Sequence, residues 1–268
     1  MHDSRKNKKL MNYRIKIVLF IKTHVVPKIK IKTPYFLTHS YPLLDFIYST
    51  KNKYVACAIS KNGCSSIYSS VLFYDFSQDF DKDKKIWHQY KLWTKHDSKC
   101  RLQYNTLPDS KIKEFDGYRK FIVLRDPMDR MISFINNIYK EEEYDYLFNK
   151  NVSAEKFIDK VLDWYPIMID YTRKDFRYDK HAIPQRVYYE KFKAAFGDEL
   201  EIVMIEDLPS YFEQLTGKPL IKNNVTKPSE KVCTRETLTP KQLQRIENLL
   251  AKHEFCKDDE YTRMFRKN

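Results

Sequence analysis

Two unbroken apolar runs, each broken by a short polar stretch and followed by a helix-like pattern, organise this chain. The first covers residues 54–59, stops at Ser60-Lys61-Asn62-Gly63 and resumes with helical character to about residue 74. Short apolar runs without alternation read as strands buried on both faces. The second run, residues 121–124, leads into Arg125-Asp126-Pro127 and then a helix predicted over 127–139. Asp126 suits the N-cap, Pro127 the first helical position and Asp129 the acidic first turn. Met128, Met131, Ile132, Ile135 and Ile138 recur at three- and four-residue spacing and form one buried face, while Arg130, Ser133 and Asn137 lie on another. Further helices are predicted over 154–165, 184–196 and from Pro240, with a third strand over 202–205. Residues 78–85 read as a charged connector and those up to 118 as a variable region of helix and loop. Strands alternating with helices predict an α/β domain whose central parallel sheet is covered by helices on both faces.

Composition supports one domain. At 268 residues, 42% hydrophobic and 15% aromatic, the chain can bury a sizeable core without disulfides. Its five cysteines (Cys57, Cys64, Cys100, Cys233 and Cys256) are odd in number and contain no C-x-x-C pair, which argues against both a disulfide framework and a zinc site. Cys64 reads as a small packing residue rather than a nucleophile. Charge is uneven: residues 1–33 hold ten Lys or Arg against the single acid Asp3, and so carry most of the net charge of +13. The chain therefore divides into a basic arm, residues 1–40, and a domain, residues 41–268. The arm is either a solvated tail, partly disordered, or a contact for an acidic glycan, a membrane surface or nucleic acid. Residues 15–21 are too few to span a bilayer and include Lys16, and no signal-peptide cleavage pattern follows. These features lead us to expect a cytoplasmic protein, and the Lys-, Asn-, Ile- and Tyr-rich composition a bacterial one. Two Asn-x-Ser/Thr triplets, at Asn151 and Asn224, read as chance.

The first loop has the makings of an anion cradle. A strand that ends in a short turn and feeds a helix presents backbone N–H groups and a positive helix end to a bound anion. Lys61, Gly63, Ser65 and Ser66 add a cation, a free turn and two hydroxyls; the plainer alternative is a capped helix behind a buried strand. With only four glycines, neither the Walker nor the G-x-G-x-x-G nucleotide pattern can be placed. Arg125 stands at the carboxyl end of the second strand, where ligands bind in open α/β sheets, and Ser133 follows two turns into the helix. A guanidinium fork with a hydroxyl in reach suits a second phosphate. Arg130 is expected in a surface ion pair with Asp126 or Asp129.

Both segments resemble one family. Lys61-Asn62-Gly63-Cys64-Ser65-Ser66 has the form K-x-G-C-S/T-S/T, and residues 125–133 the form R-D-P-x-x-R-x-x-S, of the carbohydrate sulfotransferases of the sulfotransferase family 2 type. There they hold the two ends of 3′-phosphoadenosine 5′-phosphosulfate (PAPS). The resemblance, over roughly residues 50–265, implies a P-loop-like three-layer fold and sulfuryl transfer from PAPS to a hydroxyl or amine of a carbohydrate, with no metal required. It gives Lys61, Asn62, Gly63, Cys64, Ser65, Ser66, Arg125 and Ser133 as donor ligands, with Lys61 also catalytic. Residues 179–185 are similar to the family's D-x-H-W-x-P-Q segment, although Ala182 replaces the tryptophan. Residues 201–208 are similar to its late core strand. Residues 227–231 are similar to its basic closing loop, which adds Lys227, Ser229 and Lys231. Histidine suits the acceptor base near neutral pH, and His96 and His181 are the two candidates.

Two other function classes compete. Asp79-x-Asp81 resembles the metal-holding triplet of glycosyltransferases, but no clear strand precedes it and lysines crowd it, as in a solvated charge run. A pI near 9.3 and the interleaved aromatics and lysines of residues 90–104 fit nucleic-acid binding, yet most of the excess charge sits in the arm. No specific nucleic-acid partner is expected. Tyr144, Tyr146, Tyr171, Arg173 and Tyr178 are candidates either for stacking on acceptor sugars or for rim packing.

Overall fold

The computed structural model describes residues 44–77, 99–104, 108–141, 144–145, 147–170, 179–222 and 228–266. The basic arm, the Asp79-x-Asp81 run, His96, Tyr146, Tyr171, Arg173, Tyr178, Asn224 and Lys227 lie outside these residues.

The two apolar runs become neighbouring central strands. In chain order the described elements begin with β1 (Leu44–Ser49), β2 (Tyr54–Ala58) and α1 (Cys64–Phe76). Next come β3 (Arg101–Tyr104), α2 (Asp109–Lys113), β4 (Arg119–Leu124) and α3 (Pro127–Lys140). They continue with α4 (Ala154–Met168), α5 (Gln185–Phe196), β5 (Leu200–Met204), α6 (Leu208–Thr216), α7 (Pro240–His253) and α8 (Glu260–Phe265). The five strands form one sheet in the order β3-β1-β2-β4-β5. β2, β4 and β5 run parallel, with Cys57 opposite Ile122 and Ile122 opposite Ile202.

The expectation of a wholly parallel sheet is corrected: β1 is antiparallel to both β2 and β3. Only residues 50–53 separate β1 from β2, with Lys53 at φ 51°, so a hairpin forms where a parallel crossover would need a dozen residues or more. Neither added strand reads as a buried run, because each carries polar residues toward the edge. Arg101 on β3 donates to Asp45 on β1 through Nε (2.8 Å), and Gln103 adds a bond to the same carboxylate (3.2 Å).

Alternation along β2 and β4 divides the core into two layers. Val55, Cys57, Ile122 and Leu124 pack with Tyr188, Phe192 and Phe196 of α5 and Tyr261 of α8. Tyr54, Ala56, Ala58, Phe121 and Val123 pack with Ile67, Val71 and Leu72 of α1 and Phe212 of α6. Helices thus flank both faces of the sheet, and β2 is buried throughout. The caps follow local chemistry. Asp126 accepts from Asp129 N–H (3.0 Å) ahead of α3, and Thr239 and Gln242 form a capping box on α7. Ser153, from the triplet at Asn151, caps α4. Among the described residues no helix is long and apolar enough to cross a membrane.

Candidate active site

The carboxyl ends of β2 and β4 lie side by side, so the two loops singled out in the sequence meet. After β2 the chain turns sharply: Asn62 N–H donates to Ile59 O (3.1 Å), and Lys61 and Gly63 take φ of 72° and 79°. Glycine is required at 63 on two grounds. Its backbone is left-handed, and a Cβ there would stand 2.9 Å from Leu208 Cδ2 on α6. Gly63 is also the N-cap of α1 and offers no side chain to it, so the first-turn N–H groups receive no side-chain cap. Cys64, Ser65 and Ser66 are half-buried on that turn.

Lys61 reaches across to α3, where its Nζ donates to Asn137 Oδ1 (2.8 Å). Burial lowers its pKa to about 8, with the Cys64, Glu141 and Asp179 charges pulling the other way and Arg125 reinforcing the fall. Among the described residues it makes no ion pair. Arg125, at the end of β4, donates through Nη1 to Lys61 O (3.3 Å). Ser133 is half-buried and precedes Asn137 by one turn on the same face of α3. Lys61, Arg125, Ser133 and the uncapped end of α1 are therefore gathered at one end of the sheet.

Two amides hold this arrangement. Asn62 is buried, and its Nδ2 donates to Val123 O (2.9 Å) and to Gln185 Oε1 (2.8 Å). Gln185, fully buried at the start of α5, also accepts from Arg125 N–H (3.2 Å) and donates through Nε2 to Arg125 O (2.6 Å). The backbone groups at 123 and 125 dictate which amide atoms donate and which accept. Asn62 thus spends its N–H donors on the fold, and its side chain faces inward from the loop. Gln185 is itself anchored, since its N–H and that of Arg186 donate to the buried Glu254 carboxylate (2.8 and 3.1 Å).

His181 is held by Asp179, whose charge acts on Lys61. Its Nδ1 lies 2.9 Å from Asp179 Oδ1, and the same oxygen accepts its backbone N–H (2.8 Å). Tyr144 is buried and donates to Asp179 Oδ2 (2.7 Å), so it belongs to the interior rather than to a sugar-stacking rim. Arg130 is corrected as well. It is buried, donates to His181 O (3.3 Å) and faces Glu254 at 4.0 Å, while Arg235 takes Asp126 (2.9 Å) and Asp129 (3.3 Å).

The segment after residue 227 runs beside α3. Asn136 Oδ1 accepts from Val232 and Cys233 N–H (2.7 and 3.1 Å), and Glu230 pairs with Lys140 (3.3 Å). Ser229 and Lys231 are exposed on it, and no hydrogen bond or ion pair joins either to Lys61 or Arg125. Asn137 and Gln185 drew no assigned role from the motifs, and Tyr144 drew a different one, at an acceptor rim. Position supplied a signal for two of them: Asn137 follows Ser133 by four residues, and Gln185 closes the segment that begins at Asp179.

A sequence model described as the Sulfotransferase family matches residues 44–256, which takes in both strand-loop-helix units and the segment from 179 to 185. Neither the curated proteins nor the solved structures contain a match. The matched span covers most of the chain and every part of the site just described, and the chain belongs to the sulfotransferase family.

Proposed function

We propose that this protein is a PAPS-dependent carbohydrate sulfotransferase with a P-loop-like donor site. One observation carries the reading: a desolvated lysine that makes no ion pair among the described residues and an arginine from the neighbouring strand meet beside a helix end whose N-cap residue has no side chain. Two clustered cations that make no ion pair among the described residues, at a left-handed turn built on Gly63, fit a ligand with anionic groups at both ends. Lys61 with Gly63, Cys64, Ser65 and Ser66 would hold the 5′-phosphosulfate, and Arg125 with Ser133 the 3′-phosphate. Asn62 contributes by fixing the loop. Ser229 and Lys231 would reach the donor only if their segment moved.

The donor supplies an activated sulfuryl group. The acceptor hydroxyl loses its proton to a base, its oxygen bonds to sulfur, and the bond from sulfur to the bridging phosphate oxygen breaks in line. Charge then develops on the departing phosphate, where the Lys61 ammonium and the α1 N-terminus stabilise it. Among the described residues His181 is the base that stands beside this loop. The basic arm would add contacts to an acidic acceptor or surface.

The reading is tested by thermal-shift measurements. Stabilisation is expected with 3′-phosphoadenosine 5′-phosphate and none with UDP plus manganese or with oligonucleotides. Stabilisation by either of the latter alone would replace it with a glycosyltransferase or a nucleic-acid-binding reading.

A further inference from the structure

Tyr144, Asp179 and His181 form a chain of hydrogen bonds next to the anion loop. Asp179 is 2% exposed, and its backbone is fixed at both ends: its N–H donates to Met168 O (2.9 Å), and its carbonyl accepts from Ala182 and Ile183 N–H (2.9 and 3.2 Å). Its carboxylate has one oxygen for Tyr144 and the other for His181. Burial raises the carboxyl's pKa, but the His181 and Tyr144 contacts outweigh it, and the net shift is downward. The group is therefore ionised at neutral pH and can only accept. Nδ1 of a neutral His181 must then carry the proton, which leaves the Nε2 lone pair as the free one. The His181 side chain keeps about a third of its surface open, at 31%, and the Asp179 charge is near enough to act on Lys61. The imidazole is thus both held and accessible.

We propose that Asp179 and Tyr144 are positioning residues that lock His181 in its Nδ1–H tautomer and present Nε2 to the acceptor hydroxyl. This rests on the reading of His181 as the acceptor base. Asp179→Ala removes the acceptor oxygen. Asp179→Asn retains it, because the Tyr144 hydroxyl can turn to accept from the new amide. Tyr144→Phe leaves the carboxylate in place and loosens one oxygen.

The tautomer is read directly from long-range 1H–15N spectra of the imidazoles in the 15N-labelled full chain, with His181→Gln identifying the signals. Neutral His181 is expected as Nδ1–H in the wild type, in Asp179→Asn and in Tyr144→Phe, and as Nε2–H or a mixture in Asp179→Ala. In assays kcat of Asp179→Ala should fall at least about tenfold, by a larger factor than the affinity for 3′-phosphoadenosine 5′-phosphate changes, and Asp179→Asn, which keeps the accepting oxygen but not the charge, should recover part of the rate. An Nε2–H tautomer in the wild type overturns the proposal even if Asp179→Ala fails to fold. So does an unchanged tautomer and rate in a folded Asp179→Ala. Full turnover by His181→Gln would instead remove the base assignment while leaving the tautomer result standing.

Discussion

In the proposed reaction Lys61 is the side chain on which the chemistry turns, and its environment gives it a measurable signature. Burial lowers its pKa to about 8, so the ammonium persists at neutral pH and is lost as pH rises through that value. Affinity for 3′-phosphoadenosine 5′-phosphate should accordingly be flat below pH 8 and decline above it, and calorimetry on Lys61→Arg should show no such decline. Lys61→Ala should abolish turnover chiefly through kcat, and Arg125→Ala chiefly through donor affinity, a split that steady-state kinetics with direct binding resolves. That Lys61 and Arg125 meet was legible because each sits in a loop at the carboxyl end of a buried strand. Asn137 and Gln185 were not, since their partners lie 76 and 123 residues away in the chain. Arg130 misled for a related reason. Its spacing from Asp126 and Asp129 suggested a local pair, but the face it occupies packs against the end of α7, where Glu254 waits.

Among elements, the β2 and β4 loops are coupled by α5. Gln185 bonds to both, so its removal should strand one N–H of the Asn62 amide, Arg125 N–H and Arg125 O at once. Leaving buried groups unpaired costs about 1–3 kcal/mol each. Gln185→Ala should therefore lower the melting temperature by several degrees and weaken donor binding, with Gln185→Glu recovering part of each; calorimetric melting and titration check this. An unchanged melting temperature would mean that the loops hold each other without α5. Gly63→Ala meets both a left-handed backbone and the Leu208 contact, so it should disturb the loop more than an ordinary glycine change. The central strands were readable because each is a short apolar run with a helical pattern behind it. β1 and β3 escaped because an edge strand shares its polar residues with its neighbour, and the bonds from Arg101 and Gln103 to Asp45 make sense only once the two strands are paired.

For the molecule as a whole, the sulfotransferase family fixes the class of reaction, and the site geometry says how this chain would perform it. If Lys61 and a helix end meet the charge on the leaving phosphate, as proposed, chelators should leave the rate unchanged; strict dependence on a divalent cation would require a different electrostatic partner. The acceptor is the part the sequence spells least well. Specificity lies in loops rather than in the sheet, and loop residues such as Tyr144 take their meaning from tertiary partners. The most direct measurement is transfer of labelled sulfate from PAPS to a panel of glycans, lipids and small phenols by the full chain and by Lys61→Ala, with mass analysis of the products. A sulfated glycan formed by the wild type and not by Lys61→Ala is the expected result; equal transfer by both proteins, or label only on lipids or phenols, would contradict it.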